Sequence, residues 1–131
     1  MILGVGLDVV EVARIERLVG HGAEDDRSRR FLDRCFTPGE QAACERRHDR
    51  ANCLAARFAA KEAVSKALGA PPGIRWIDVE VMREAGAPRV RLAGAAEQAA
   101  RQRGVEEIHL SLTHDGGIAA AVAVLEGRGT S

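Results

Sequence analysis

The strongest constraint on this chain is an alanine-rich segment that closes on a glycine. From Arg57 it reads Arg-Phe-Ala-Ala-Lys-Glu-Ala-Val-Ser-Lys-Ala-Leu-Gly, ending at Gly69. Alanine joins strong helix propensity to almost no side-chain bulk. Ala55, Ala56, Ala59, Ala60, Ala63 and Ala67 therefore predict a thin helix over about 51–68, whose backbone a neighbour can approach closely, with Gly69 as its C-cap. A helix that needs only solubility places charge on one face and bulky apolar groups on the other. Here Arg57 and Lys61 share a face, and Glu62 and Lys66 share the next. Three cations with an acid among them suit a metal–phosphate site. Solvated ion pairs on a core helix are the plainer alternative.

Around this helix the hydrophobic period changes twice. Residues 2–10 alternate as a strand, with Leu3, Val5, Leu7 and Val9 on one face and Ile2, Gly4, Gly6, Asp8 and Val10 on the other. Gly4 and Gly6 leave room beside Asp8 for a ligand or another backbone. A helix follows over about 11–20 with Val12, Ile15 and Leu18 or Val19 inward. Residues 21–30 are polar and irregular, and a second helical region begins near Phe31. Thr37, Pro38 and Glu40 form a capping-box start to a helix reaching about 48.

After Gly69 the period becomes that of strands. Ala70-Pro71-Pro72-Gly73 is a turn, and Ile77, Val79 and Val81 alternate with Asp78, Glu80 and Met82. Ala85 to Pro88 turns into a short strand, Arg89 to Leu92, and residues 94–103 form a helix that Gly104 ends. Ile108, Leu110 and Leu112 alternate with His109, Ser111 and Thr113, then Asp115-Gly116-Gly117 makes a tight turn. Ile118 to Leu125 is nearly all apolar and belongs at a sheet centre. The fold class is α+β with a mainly antiparallel sheet, built as one domain over residues 1–131.

Composition excludes several functions. Nineteen Lys and Arg balance nineteen Asp and Glu, and aromatics are scarce, so a nucleic-acid binder is not expected. Arg27, Arg29, Arg30 and Arg34 nevertheless cluster, as do Arg46, Arg47 and Arg50; with Arg14 and Arg17 they offer a basic face. That face is either solvated surface or a dock for an acidic protein or a phosphate-rich ligand. Cys35, Cys44 and Cys53 are an odd number without a secretory signal, which predicts reduced thiols. Cys44 and His48 are four apart, but no second pair gives zinc spacing. Asp8 interrupts the apolar N-terminus, and no stretch is long enough to span a bilayer. The expected location is the cytoplasm.

Chemistry converges on three segments. A carboxylate at the end of an apolar strand, Asp8, must be paired, hydrogen-bonded or on a metal, and capping the following helix through Asp8-x-x-Glu11 is its local alternative. Glu62 has Lys66 as an ion-pair partner, and His114 ends a strand. The segments Gly4-x-Gly6-Leu7-Asp8-Val9-Val10-Glu11-Val12, Arg57-Phe58-Ala59-Ala60-Lys61-Glu62-Ala63 and Ser111-Leu112-Thr113-His114 occur in this order. Together they resemble the holo-acyl-carrier-protein synthases, the short class of 4′-phosphopantetheinyl transferases. Phe36-Thr37-x-x-Glu40, Gly86-x-Pro88-Arg89 and Ala119-Ala120-Ala121-Val122 extend the resemblance across nearly the whole chain. The turn after Gly69 departs from it, lacking the Gly-Thr-Gly that many relatives carry.

The resemblance implies a fold, a reaction and a site. The 4′-phosphopantetheine arm of coenzyme A would pass to a serine of an apo-acyl-carrier protein, releasing adenosine 3′,5′-bisphosphate. Asp8 and Glu62 would hold Mg²⁺ against the pyrophosphate, as hard oxygen donors. Lys61 would reach a phosphate as a point charge, and Arg57 would fork onto another. Arg57, Thr113 and His114 would lie near the nucleotide end. The serine proton would pass to a metal-bound water, to Glu62 or to a carrier carboxylate. Arg14 would receive the acidic carrier protein, with Arg17, Arg27 and Arg30 as candidates by charge. A homotrimer with sites between subunits, serving fatty-acid or polyketide synthesis, is the implied assembly. A thioesterase acting on coenzyme A esters and a non-catalytic module that captures an acidic partner are the competing classes.

Overall fold

The computed structural model of the protein describes residues 1–20, 25–83 and 86–129. Strand β1, Ile2–Glu11, leads into helix α1, Val12–Val19. Helices α2 (Asp26–Cys35), α3 (Pro38–Glu45) and α4 (Arg50–Ala67) follow. A single 3-10 turn, Trp76–Asp78, precedes strands β2 (Val79–Met82) and β3 (Arg89–Leu92). Helix α5 (Gly94–Gln102) and the hairpin β4 (Val105–Asp115) and β5 (Ile118–Gly127) complete the order.

The sheet is antiparallel with order β1-β5-β4, and β2 and β3 form a separate antiparallel pair. The near-continuous apolar strand β5 is central, as its composition requires. Gly116 and Gly117, both at positive φ, supply the two-residue turn of the hairpin. α4 lies across one face of this sheet, packing on β1, β5 and β4. Its alanines and the strand glycines explain the close fit. A Cβ on Gly4 would collide with the Ala67 carbonyl, and one on Gly6 with that of Ala63. The open space beside Asp8 is therefore filled by a helix backbone. Arg103 pins the end of this layer, donating to Ala67 O at 2.8 Å and Leu3 O at 2.6 Å.

Ala119, Ala121, Ala123 and Leu125 of β5 are buried beneath α4. Among the described residues the opposite sheet face is uncovered: Val5, Leu7 and Val9 stand opposite Val124, Val122 and Ala120 and are 59%, 61% and 58% exposed. The few aromatics are pooled rather than dispersed. Phe36, Phe31, Phe58 and Trp76 form one chain of contacts, with Phe58 stacked on Trp76 at 4.6 Å.

Several expectations need correction. α2 begins at Asp26 rather than near Phe31, because the Asp25 carboxylate caps it by accepting from the Ser28 amide at 2.7 Å. Of the irregular stretch expected over 21–30, residues 21–24 lie outside the described residues, as does Ala85 of the turn before β3. α3 stops at Glu45 rather than about 48, where Arg47 turns back to clasp Asp49 with two hydrogen bonds of 2.7 and 2.8 Å. β2 starts at Val79 because Asp78 is buried in the preceding turn, accepting from the Arg75 amide and guanidinium. The thiols are not all free: Cys44 and Cys53 are joined, their Cα atoms 5.6 Å apart, and only Cys35 is a free cysteine. The odd count concealed a local pair, brought together by the packing of α3 on α4.

Candidate active site

β1 and α4 bring the two predicted carboxylates to one place. Asp8 lies opposite Ala121 in the sheet, on the face that α4 covers. Burial and the charge of Asp8 together push the Glu62 carboxyl above the usual carboxylate range, against the relief given by Lys66 and Arg14. Lys66 crosses to the strand, donating to Asp8 Oδ1 at 3.0 Å and Leu7 O at 3.1 Å. Lys66 therefore pairs with Asp8, not with Glu62 as the four-residue spacing suggested. Two hard oxygen donors whose repulsion is only partly relieved fit Mg²⁺.

Five residues earlier on α4, about 7.5 Å along its axis, Arg57 points into a cavity of about 130 Å³. His114, Arg47, Arg83, Asn52 and Cys53 share its lining. Arg57 is only 7% exposed, and its Nε has no hydrogen-bond acceptor. Its Nη1 donates to Cys53 Sγ at 3.0 Å. Burial, and then Arg47 and Arg83, pull its pKa down against the attraction of Glu40. A buried guanidinium whose Nε lacks an acceptor and whose Nη1 has only a weak sulfur one is a receptor for an anion.

Lys61 has a different place from the one expected. Its ammonium is buried and donates to Glu40 Oε1 at 2.6 Å, Val79 O at 2.6 Å and Trp76 O at 3.1 Å. All three protons are used, so none is left for a phosphate. Glu40 completes the knot, accepting from the Thr37 and Val81 amides. The segment's pattern gave no sign of this, because a lysine beside a site glutamate reads the same whether it faces ligand or core. Thr113 is also separated from its neighbour His114: it pairs with Ala120 on the uncovered sheet face. Arg14, Arg17 and Arg27 are exposed on α1 and α2, with Arg14 near enough to Glu62 to steady its charge.

Lys66, Arg47 and Arg83 are the site residues the sequence did not single out. Lys66 was visible only as a partner of Glu62, and Arg47 only as one of a basic cluster. A further group of ligand type, Glu107, His109 and Glu126, is exposed at the far end of the β4–β5 hairpin, where Glu126 holds His109 at 2.9 Å. It is remote in the sheet register from Asp8.

Comparison with known proteins places the chain in a family. The model of the 4′-phosphopantetheinyl transferase superfamily matches residues 4–123. A holo-[acyl-carrier-protein] synthase of Anaeromyxobacter dehalogenans (strain 2CP-C) is 57% identical over 129 residues, covering 98% of this chain and 99% of its own. The Helicobacter pylori holo-[acyl-carrier-protein] synthase in complex with coenzyme A superposes with a TM-score of 0.77 at 30% identity, over 93% of this chain and 99% of that one. The Bacillus anthracis holo-(acyl-carrier-protein) synthase in complex with CoA (3′,5′-ADP) gives 0.75 at 30% identity, over 98% and 99%. The chain belongs to the 4′-phosphopantetheinyl transferase superfamily. Within that superfamily it is an enzyme of the holo-acyl-carrier-protein synthase class. The thioesterase and binding-module alternatives lapse.

Proposed function

We propose that this enzyme transfers the 4′-phosphopantetheine arm of coenzyme A to a serine hydroxyl of an apo-acyl-carrier protein, in a magnesium-dependent reaction that releases adenosine 3′,5′-bisphosphate. The observation that carries this reading is that an acceptor-poor, buried Arg57 and Glu62 share α4, with Asp8 of β1 beside Glu62. Arg57 and His114 bind the nucleotide phosphate, with Arg47 and Arg83 adding positive potential. Asp8 and Glu62 hold Mg²⁺, which when bound neutralises the pyrophosphate and eases departure of the bisphosphate. Lys66, half-exposed beside Asp8, can swing onto a phosphate oxygen. The serine oxygen forms the new P–O bond as the bond to the departing bisphosphate breaks, and the hydroxyl proton passes to Glu62, to water or to a carrier carboxylate. Lys61 stands outside this set as a strut behind Glu62.

The acidic carrier protein docks on Arg14, Arg17 and Arg27, bringing its serine to the Glu62 side. The uncovered Val5–Leu7–Val9 face supports self-association, which we assign as the trimer, with Thr113 on the same face. No helix among the described residues is long and apolar enough to cross a membrane. A cytoplasmic role in fatty-acid synthesis follows from the choice of substrate.

Intact mass of an apo-acyl-carrier protein tests the reaction. Incubation with enzyme, coenzyme A and Mg²⁺ should add about 340 Da, the phosphopantetheine increment. Chelator, Asp8→Asn and Glu62→Gln should each prevent it. A mass gain that survives chelator would remove the metal from the mechanism, and no gain with verified coenzyme A binding would overturn the reaction.

A further inference from the structure

The cavity that holds Arg57 has a sulfur wall. Cys53 lies one turn before Arg57 on α4, lines the same cavity, and is bonded to Cys44 of α3. Arg57 Nη1 donates to Cys53 Sγ, and its Nε donates to nothing. Sulfur is a weak acceptor, and in a disulfide it is neutral. The bridged state thus leaves the guanidinium short of negative charge.

We propose that Cys44 and Cys53 are a thiol–disulfide exchange site for small dithiols and disulfides, and that its state sets the affinity of the Arg57 cavity for a phosphorylated anion. The identity of that anion rests on the function proposed above; the contact between sulfur and guanidinium does not. Cys44 is fully buried, whereas Cys53 lines the cavity, so Cys53 is the sulfur a reagent reaches. A thiolate of the dithiol bonds to Cys53 sulfur, the Cys44–Cys53 bond breaks, and Cys44 leaves as a thiolate that takes a proton. The second thiol of the reagent then attacks the mixed disulfide, closing the reagent's own disulfide and releasing Cys53. Two electrons pass from the dithiol to the bridge, and its two protons balance the two cysteines formed. Cys35 takes no part: it is buried, and burial pushes its thiol up to about 11.

Thiols beside arginine gain thiolate character. Reduction therefore supplies Arg57 with a partner of opposite charge, in a cavity that Arg83 makes more positive and where Arg47 is already paired with Asp49. A phosphate must then displace or protonate that partner. In the bridged state it has nothing to displace, so the bridged enzyme binds the anion more tightly. By reciprocity, the bound anion favours the bridge by the same factor.

The test is calorimetric titration of 3′,5′-ADP into oxidised protein, dithiothreitol-reduced protein, Cys44→Ser and Cys53→Ser. Oxidised protein should bind about fivefold or more tightly than reduced, the lower end of common coupling. Both substitutions abolish the bridge, but only Cys44→Ser leaves a thiol beside Arg57. Cys44→Ser should bind like reduced protein, and Cys53→Ser like bridged protein, each without response to dithiothreitol. Equal weakening in both variants would assign the effect to looser packing of α3 on α4 and overturn the proposal. Equal affinity in the two redox states of the parent protein, for 3′,5′-ADP and inorganic pyrophosphate alike, would do the same, as would two alkylatable thiols at these positions after oxidation. Inorganic pyrophosphate is the second probe: if it alone shows the redox difference, the nucleotide reading fails and the exchange site stands.

Discussion

Glu62 shows how one side chain can work against the fold that holds it. Its carboxyl is half-buried, and burial first, then the charge of Asp8, raise its proton affinity. The folded chain therefore keeps this proton to a higher pH than the unfolded chain does. Below the ordinary carboxylate range both states hold it and no cost arises. As pH rises through the window between the unfolded and the raised folded value, the folded state loses stability, and above the window the full cost persists. Glu62→Gln removes the charge while keeping shape. In chelator-treated buffer the variant should melt higher than the parent at neutral pH, and the gap should close as pH falls into the ordinary carboxylate range. Transfer activity should be lost at every pH. A variant that melts below the parent at neutral pH would show that Glu62 is stabilised by its neighbours rather than strained by them. This is a residue selected for a ligand at the expense of the free protein.

At the scale of elements, the knot of Glu40 and Lys61 joins four segments. Glu40 closes the α3 capping box, Lys61 comes from α4, and their partners are carbonyls and an amide between Trp76 and Val81. Removing one member of a buried pair strands the other, at a cost of about 3–5 kcal/mol. Lys61→Met and Glu40→Gln should each lose a large part of that in urea denaturation, and the double variant should lose less than the sum. A Lys61→Met protein that is fully stable yet inactive would return Lys61 to the phosphate site. The same region shows what was legible beforehand. Local signals suffice for part of the fold: the Thr37 capping box, the Gly69 stop, the Gly116-Gly117 turn and the central β5 all follow from short-range chemistry. Asp8 and Glu62 were legible as a pair because three motifs fell in order. Side-chain direction was not legible. Whether Lys61 faces core or ligand, whether Lys66 reaches Asp8, and whether two cysteines nine apart meet all depend on how α3, α4 and β1 pack. Periodicity places a residue on a face but does not say what covers that face.

The whole molecule is lopsided: one sheet face carries α4, and among the described residues nothing covers the other. Val5, Leu7 and Val9 project from β1 beside Val122 and Val124 of β5, and Thr113 and Ser111 of β4 continue the face. Charged residues, which usually protect exposed strands, are absent from the middle of this strip. Covering such a strip with other copies of the chain removes apolar area from water at roughly 25 cal/mol per Å². Leu7 is the central and most exposed member of the β1 row. A buried carboxylate there would have no partner, so Leu7→Glu should convert the assembly to monomers in sedimentation equilibrium while leaving the far-ultraviolet circular dichroism of the single chain unchanged. Because Leu7 is neither a phosphate nor a metal ligand, its effect on catalysis reports on assembly alone. Transfer activity should fall with the loss of oligomer and recover in part at high enzyme concentration, where mass action restores contacts. Parent protein that sediments as a monomer, with Leu7→Glu equally active, would show that each chain carries a complete site and that the apolar face has another use.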